Sequence, residues 1–168
     1  MTPPEPTGAG QTMGETVMLR SEWLTGLRDA AGEVFSMMLG ATISSVPNPD
    51  DCPVLARVTG VVGITGAVNA IFTLRCSDAA ATRLAAQMLG LSAEESAAQK
   101  FDALGEVCNM VAGNFKHKIG HGPTCMLTVP TVVMGGNYCI HSLASQRMEC
   151  PVMYEGEPLW LALDIRDR

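Results

Sequence analysis

Apolar side chains recur at helical spacing in three stretches of the chain. The first stretch starts at Ser21, a residue type that caps helix N-termini, and ends at Gly40. The second starts at Ser77 or Asp78 and ends at Gly90, and the third follows it through a run of helix formers. The spacing predicts three helices, which cover residues 21–40, 77–90 and 91–120.

Alternation of apolar and polar positions predicts strands in the remaining stretches. Residues 57–76 are typical of two strands joined at Gly63 to Gly66. One face of this hairpin is predicted to carry Val68, Ala70, Phe72 and Leu74. Further strands, separated by glycine-containing turns, are predicted at residues 125–135, 137–145, 147–154 and 158–166. This order predicts an α+β sandwich in which a mainly antiparallel sheet packs against three helices.

The length and apolar content of the chain indicate one domain. The 168 residues are 47% hydrophobic, which is enough for one sizeable core and too little for two domains. Residues 1–16 are rich in Pro, Gly and Thr and poor in large apolar side chains, so we expect a flexible N-terminal tail. Residues 17–168 are expected to form the single domain.

The charge of the chain excludes several classes of partner. With 11 basic and 17 acidic residues, the formal net charge is −6, and no Lys/Arg cluster is present. We therefore expect neither nucleic acid nor a membrane surface as a partner. The sequence has no apolar run long enough to cross a bilayer and no signal-peptide pattern, which predicts a cytoplasmic protein.

Cysteine and histidine spacing argues against a metal site. The six cysteines contain no CxxC pair and suggest neither a disulfide framework nor a zinc site. His117 and His121 are four residues apart, but glycines end the helix there and no third ligand is near. Cys108 is expected to pack in the core, because no basic residue is positioned to activate its thiol.

Two segments of the chain resemble each other. Residues 29–40 read DAAGEVFSMMLG and residues 102–113 read DALGEVCNMVAG. A Gly- and Pro-containing break and then strands follow each copy. This repetition predicts two degenerate helix-hairpin units related by a pseudo-twofold axis.

The second copy presents a polar stripe along one face of its predicted helix. At about 100° per residue, this sector contains Asp102, Gly105, Glu106, Asn109, Gly113 and Lys116. Glu106 and Asn109 project outward together, and the two glycines are expected to lower the surface for an approaching molecule. A solvated helix face has the same polarity, so the stripe alone does not indicate function. The first copy has Glu33 but Ser36 in place of the asparagine.

The arrangement DALGEVCNMVAGNFK, followed by a proline, resembles the CheC/CheX/FliY family of chemotaxis phosphatases. The family motif is matched by Asp102, Glu106, Asn109 and Pro130, and the likeness covers residues 20–166. Because the first copy is degenerate, the sequence resembles CheX in particular. The resemblance implies a CheC/CheX-like pseudo-symmetric α/β sandwich and a homodimer that dephosphorylates a CheY-like response regulator.

The resemblance also implies roles for the polar stripe. Glu106 and Asn109 are the expected catalytic pair, and Asp102, Gly105, Gly113 and Lys116 are expected to contact the partner. The asparagine amide suits positioning of a water against an aspartyl phosphate, and the glutamate suits pairing with a receiver lysine. The chain itself is expected to bind no cofactor, since the phosphorylated response regulator supplies Mg²⁺.

Two other functions remain open from the sequence. One is a non-catalytic adaptor that binds a receiver domain or a flagellar switch component. The other is a structural dimerisation domain in which the Glu/Asn face is only solvated.

Overall fold

The computed structural model describes residues 13–46, 57–136, 138, 140–143 and 146–166, with side chains from residue 19 onward. The helices in these ranges are α1 (Met13–Leu39), α2 (Asp78–Leu89), α3 (Ala93–Ser96) and α4 (Lys100–Lys118). The strands are β1 (Ile43–Ser45), β2 (Val58–Gly66), β3 (Ala70–Cys76), β4 (Cys125–Leu127), β5 (Thr131–Met134), β6 (Gln146–Tyr154) and β7 (Glu157–Ile165). None of the helices in the described ranges is long and apolar enough to cross a membrane.

The seven strands form one antiparallel sheet in the order β1-β6-β7-β3-β2-β4, with β5 also paired to β2. The edge strand of each repeat pairs with the other repeat: β1 joins β6, while β4 and β5 join β2. The hairpins β2–β3 and β6–β7 meet at the centre through β3 and β7. This exchange confirms the α+β class and the pseudo-symmetric arrangement.

The core lies between one face of the sheet and the helices. Phe72 and Leu74 of β3 are fully buried there, as are Leu161 and Leu163 of β7. The inward face of α4 is also fully buried at Leu104, Val107, Cys108, Val111 and Phe115. The sequence predicted that Cys108 packs in the core and that Phe72 and Leu74 share one face of their hairpin.

Local capping explains why α2 has its predicted bounds. The Ser77 hydroxyl accepts a hydrogen bond from the backbone N–H of Ala80 at 3.0 Å. Gly90 ends the helix in the left-handed region at φ 65°, where glycine has no Cβ penalty. Both residues were predicted to limit this helix.

The first helix starts earlier than predicted. It begins at Met13, so residues 13–16 of the expected tail are helical, while residues 1–12 lie outside the described ranges. The predicted cap Ser21 is inside the helix, and its carbonyl accepts a hydrogen bond from Thr25 Oγ1 at 3.0 Å. Good helix formers before Ser21 extend the helix past a residue that caps only where a helix begins.

Other boundaries also differ from the prediction. The third predicted helix is divided into α3 and α4, which makes four helices in the described ranges instead of three. The hairpin turns at residues 67–69, because Gly63 remains paired with Ile71 inside β2. The predicted strand 125–135 is broken before Thr131, where Pro130 has no N–H to donate. Residues 138 and 140–143 of the predicted strand 137–145 are not in a strand, and its other residues lie outside the description.

Candidate functional site

Helix α4 lies very close to the sheet over β2. A Cβ built on Gly60 would overlap the Sγ atom of Cys108 and lie 3.5 Å from Leu104 Cγ. Because Gly60 has no side chain, the inward face of α4 rests directly on the strand. The position of the outward face of α4 is therefore set by the rigid centre of the fold.

The outward face of α4 carries the predicted motif. Asp102 and Glu106 are exposed, and Asn109 is half-buried on the same side of the helix. Within the described part of the chain, these three side chains make no hydrogen bond or ion pair. A carboxylate and a carboxamide one helical turn apart are thus available to another molecule.

Two glycines of the stripe face the protein's own chain. A Cβ on Gly105, which is buried, would lie 3.4 Å from Pro130 Cβ and 3.7 Å from Val132 Cγ2. A Cβ on Gly113 would lie 3.8 Å from Leu127 Cδ1. The contact of these two glycines with a partner stays a prediction. The small size of Gly105 lets the β4–β5 segment approach α4. The motif proline packs beside the motif helix for the same reason.

Lys116 is also occupied within the chain. Its ammonium group donates hydrogen bonds to the carbonyl oxygens of Gly122 at 3.0 Å and Cys125 at 2.8 Å. These bonds hold the connection between α4 and β4. The contact of Lys116 with a partner stays a prediction, and the structure adds that the α4–β4 connection folds back over this side chain.

An apolar ridge beside the motif was missed from the sequence. Met126, Val129 and Met134 are 73%, 85% and 60% exposed along the β4–β5 segment, which borders α4 at Gly105. The signal was present, since this segment is apolar at nearly every position. The pattern of a regular strand does not indicate which of these side chains the rest of the fold leaves uncovered.

The glutamate in the first copy of the repeat has a partner within the chain, unlike the glutamate in the second. The Glu33 carboxylate accepts a hydrogen bond from Lys118 Nζ at 2.6 Å, which ties α1 to the end of α4. Ser36 is exposed where the second copy has Asn109. The two glutamates of the repeat are thus not equivalent, since only Glu106 is unpaired in the described structure.

The remaining candidate groups do not form a reactive centre. Cys108 is fully buried, and this burial raises the pKa of its thiol well above the usual range. A neutral buried thiol is a packing group and a poor nucleophile. Among the described residues, no group of three or more His, Cys, Asp and Glu side chains is arranged to hold a metal ion.

Comparison with known proteins gives matches of family and of fold. The family model described as chemotaxis phosphatase CheX matches residues 58–153, a range that includes Glu106 and Asn109. No curated protein matches the chain.

Three solved structures illustrate the likeness of fold. The chemotaxis protein CheX from Desulfovibrio desulfuricans is 22% identical, with TM-score 0.68 over 86% of this chain and 99% of that one. CheX in a CheX–CheY–BeF₃–Mg²⁺ complex from Borrelia burgdorferi is 22% identical, with TM-score 0.70 and coverages of 86% and 98%. FliY from Thermotoga maritima is 18% identical, with TM-score 0.63 and coverages of 92% and 91%. At these identities the likeness establishes a shared fold.

Proposed function

Because the chain belongs to the CheX family of chemotaxis phosphatases, we propose that it hydrolyses the aspartyl phosphate of a CheY-like response regulator. The observation that carries this proposal is the unpaired Glu106 and Asn109 on the outward face of α4. They lie one turn apart on a helix that is fixed against the sheet. This pair is therefore presented to a partner in a defined geometry.

Asn109 is the residue that acts on the water. Its carboxamide both donates and accepts hydrogen bonds, and it carries no negative charge that a phosphoryl group would repel. Phosphoryl transfer through a loose transition state gains mainly from positioning and charge stabilisation. An oriented water in line with the phosphorus therefore meets the main requirement of the reaction.

Glu106 is the residue that aligns the partner. Its exposed carboxylate pairs with a lysine beside the phosphorylated aspartate of the receiver. Asp102, one turn earlier on the same face, adds negative charge to the contact. Mg²⁺ belongs to the receiver in this proposal, which the Borrelia CheX complex with CheY, BeF₃ and Mg²⁺ supports.

The decisive experiment compares the two copies of the repeat. The rate of phosphate loss from a receiver phosphorylated with acetyl phosphate is measured with wild-type protein, Asn109→Ala and Ser36→Ala. We expect Asn109→Ala to lower the stimulated rate by roughly 10²- to 10³-fold, as expected for the loss of one oriented polar group. Ser36→Ala is the matched control, and it should retain the wild-type rate.

Binding distinguishes hydrolysis from the alternative function. Asn109→Ala should still bind the BeF₃-activated receiver, and Glu106→Ala should bind it more weakly. A wild-type protein that binds the activated receiver without accelerating phosphate loss would instead be a non-catalytic adaptor, the alternative function that the sequence left open. Full activity of Asn109→Ala would contradict the assignment of this residue.

The assembly and location follow from the same family resemblance. We propose that the protein is a homodimer that acts in the cytoplasm on its receiver. Light scattering coupled to size-exclusion chromatography measures the mass directly. A mass of one chain across the concentrations used in the phosphatase assay would contradict the dimer.

A further inference from the structure

The sheet face opposite the helices contains a small cavity that the proposed phosphatase reaction does not use. Its volume is about 90 Å³. It is lined by Thr59, Thr73, Arg75, Tyr138, Ile140 and Arg147. Because neighbouring residues of a strand point to opposite faces, Thr73 and Arg75 lie on the far side of β3 from Phe72 and Leu74. The cavity and the Glu/Asn face are thus separated by the sheet.

A buried hydroxyl in this cavity has no partner. Thr73 is 3% exposed, and its Oγ1 atom has no hydrogen-bond partner among the described residues. An unsatisfied buried polar atom is destabilising, so most such atoms in folded proteins are paired with protein, water or a ligand. The second unpaired atom in the described ranges is Trp160 Nε1, on the residue that pairs with Arg75 across the sheet. Both unpaired atoms are therefore on this face.

The groups around the Thr73 hydroxyl are mainly hydrogen-bond donors. Arg75 is half-buried and makes no hydrogen bond or ion pair with another described residue. Arg147 uses Nε for Glu149 at 2.7 Å and Nη1 for Asp164 at 2.8 Å, which leaves its Nη2. The Tyr138 and Thr59 hydroxyls are 2.7 Å apart, so their bond uses one of their two protons. Among the described residues, no carboxylate lines the cavity itself, although Glu149 and Asp164 bind Arg147.

We infer that this cavity binds a tetrahedral oxyanion such as phosphate or sulfate. The forked guanidinium group matches oxyanion geometry. Arg75 brings a positive charge that no described carboxylate pairs with, whereas the charge of Arg147 is already met by Glu149 and Asp164. A volume of 90 Å³ equals roughly three waters at about 30 Å³ each, which is room for one oxyanion and little more. The bound anion accepts the hydrogen bond that Thr73 lacks.

Binding also connects the sheet to the segment that follows β5. Tyr138 and Ile140 belong to this segment and form the outer wall of the cavity. An anion held between this wall and β3 therefore stabilises Tyr138 and Ile140 against the sheet. The effect does not depend on the proposed phosphatase activity, since Glu106 and Asn109 lie on the other side.

The test is a ¹H–¹⁵N NMR titration of the full chain with inorganic phosphate, with sulfate and acetate as parallel titrants and chloride to hold ionic strength constant. We expect phosphate and sulfate to give saturable shifts at the amides of Thr73 and Arg75, with weaker binding of the planar acetate. Arg75→Gln removes a charged donor and should weaken phosphate binding tenfold or more. Thr73→Val keeps the side-chain shape and should weaken it several-fold.

Arg57→Gln is the matched control, because Arg57 is exposed near Gly136 but does not line the cavity. It should leave phosphate affinity unchanged. Absence of saturable shifts would overturn the inference and mean that the cavity contains only water. An equal loss of phosphate affinity in Arg57→Gln and Arg75→Gln would also overturn the inference, since phosphate binding would then depend on net charge alone.

Discussion

Lys116 shows how the position of one side chain decides its role. It lies on the same face of α4 as Asn109, but its ammonium group binds the carbonyl oxygens of Gly122 and Cys125. Both bonds are charge-assisted, and the side chain is half-buried. Lys116 therefore contributes to the stability of the α4–β4 connection.

We expect Lys116→Met to lower the free energy of unfolding by about 1.5–3 kcal/mol, because two carbonyl oxygens lose a charged donor while the apolar stem is kept. Urea unfolding measures this change. Lys118→Met is the control, since its ion pair with Glu33 is largely solvent-exposed and should contribute less than about 1 kcal/mol. A Lys116→Met protein of unchanged stability that fails to bind the receiver would support a partner contact instead.

At the scale of elements, the contact of α4 with β2 determines where the motif is presented. Gly60 is the closest point, because any Cβ there would overlap Cys108 Sγ. Leu104 lies beside the same position. Gly60 of β2, which has no side chain, therefore leaves the space that the small side chain of Cys108 in α4 occupies.

Gly60→Ala should lower the free energy of unfolding by about 1–3 kcal/mol, because the added methyl forces α4 away from β2. It should also slow phosphate release from the receiver through displacement of Asn109. Chemical denaturation and the phosphatase assay measure the two effects.

Gly113→Ala adds the same methyl at an ordinary 3.8 Å contact, so it should not be destabilising. Cys108→Ala combined with Gly60→Ala should recover most of the loss; failure to do so would contradict the overlap.

At the scale of the whole molecule, burial controls the titration of the core. Burial, followed by the nearby Asp78 and Glu157, raises the pKa of Cys76 from 9.0 to about 12. Burial, followed by Glu155, raises the pKa of Tyr154 from 10.0 to about 12. In the unfolded chain these groups lose their protons at lower pH than in the folded protein. The folded state thus binds more protons between pH 9 and 12, and stability must fall as pH rises there.

Denaturation midpoints measured from pH 8 to 11 should show this loss. We expect full stability below about pH 9 and a decline of roughly 1 kcal/mol per pH unit above it for each fully shifted group. Cys76→Ala removes one titrating group and should flatten the decline, although it is less stable at pH 8. A stability that does not change up to pH 11 would contradict these raised pKa values.

Periodicity and family resemblance predicted the elements and the outward pair, but not the tertiary contacts. The two faces of α4 follow from helical spacing, so Cys108 is in the core and Asn109 is on the other side, as predicted. The contact of Gly105 with Pro130 joins residues far apart in sequence, and no local pattern contains it. The start of α1 at Met13 was missed because a capping residue does not indicate whether the helix already began before it.

The ion pair between Glu33 and Lys118 distinguishes the first copy of the repeat from the second. The acid of the first copy joins α1 to α4, whereas the acid of the second copy is unpaired in the described structure. Ser36→Asn would restore the Glu-x-x-Asn pattern in the first copy, but Glu33 would still be paired with Lys118. A free Glu33 carboxylate would need this ion pair to open, which costs less than about 1 kcal/mol at an exposed site.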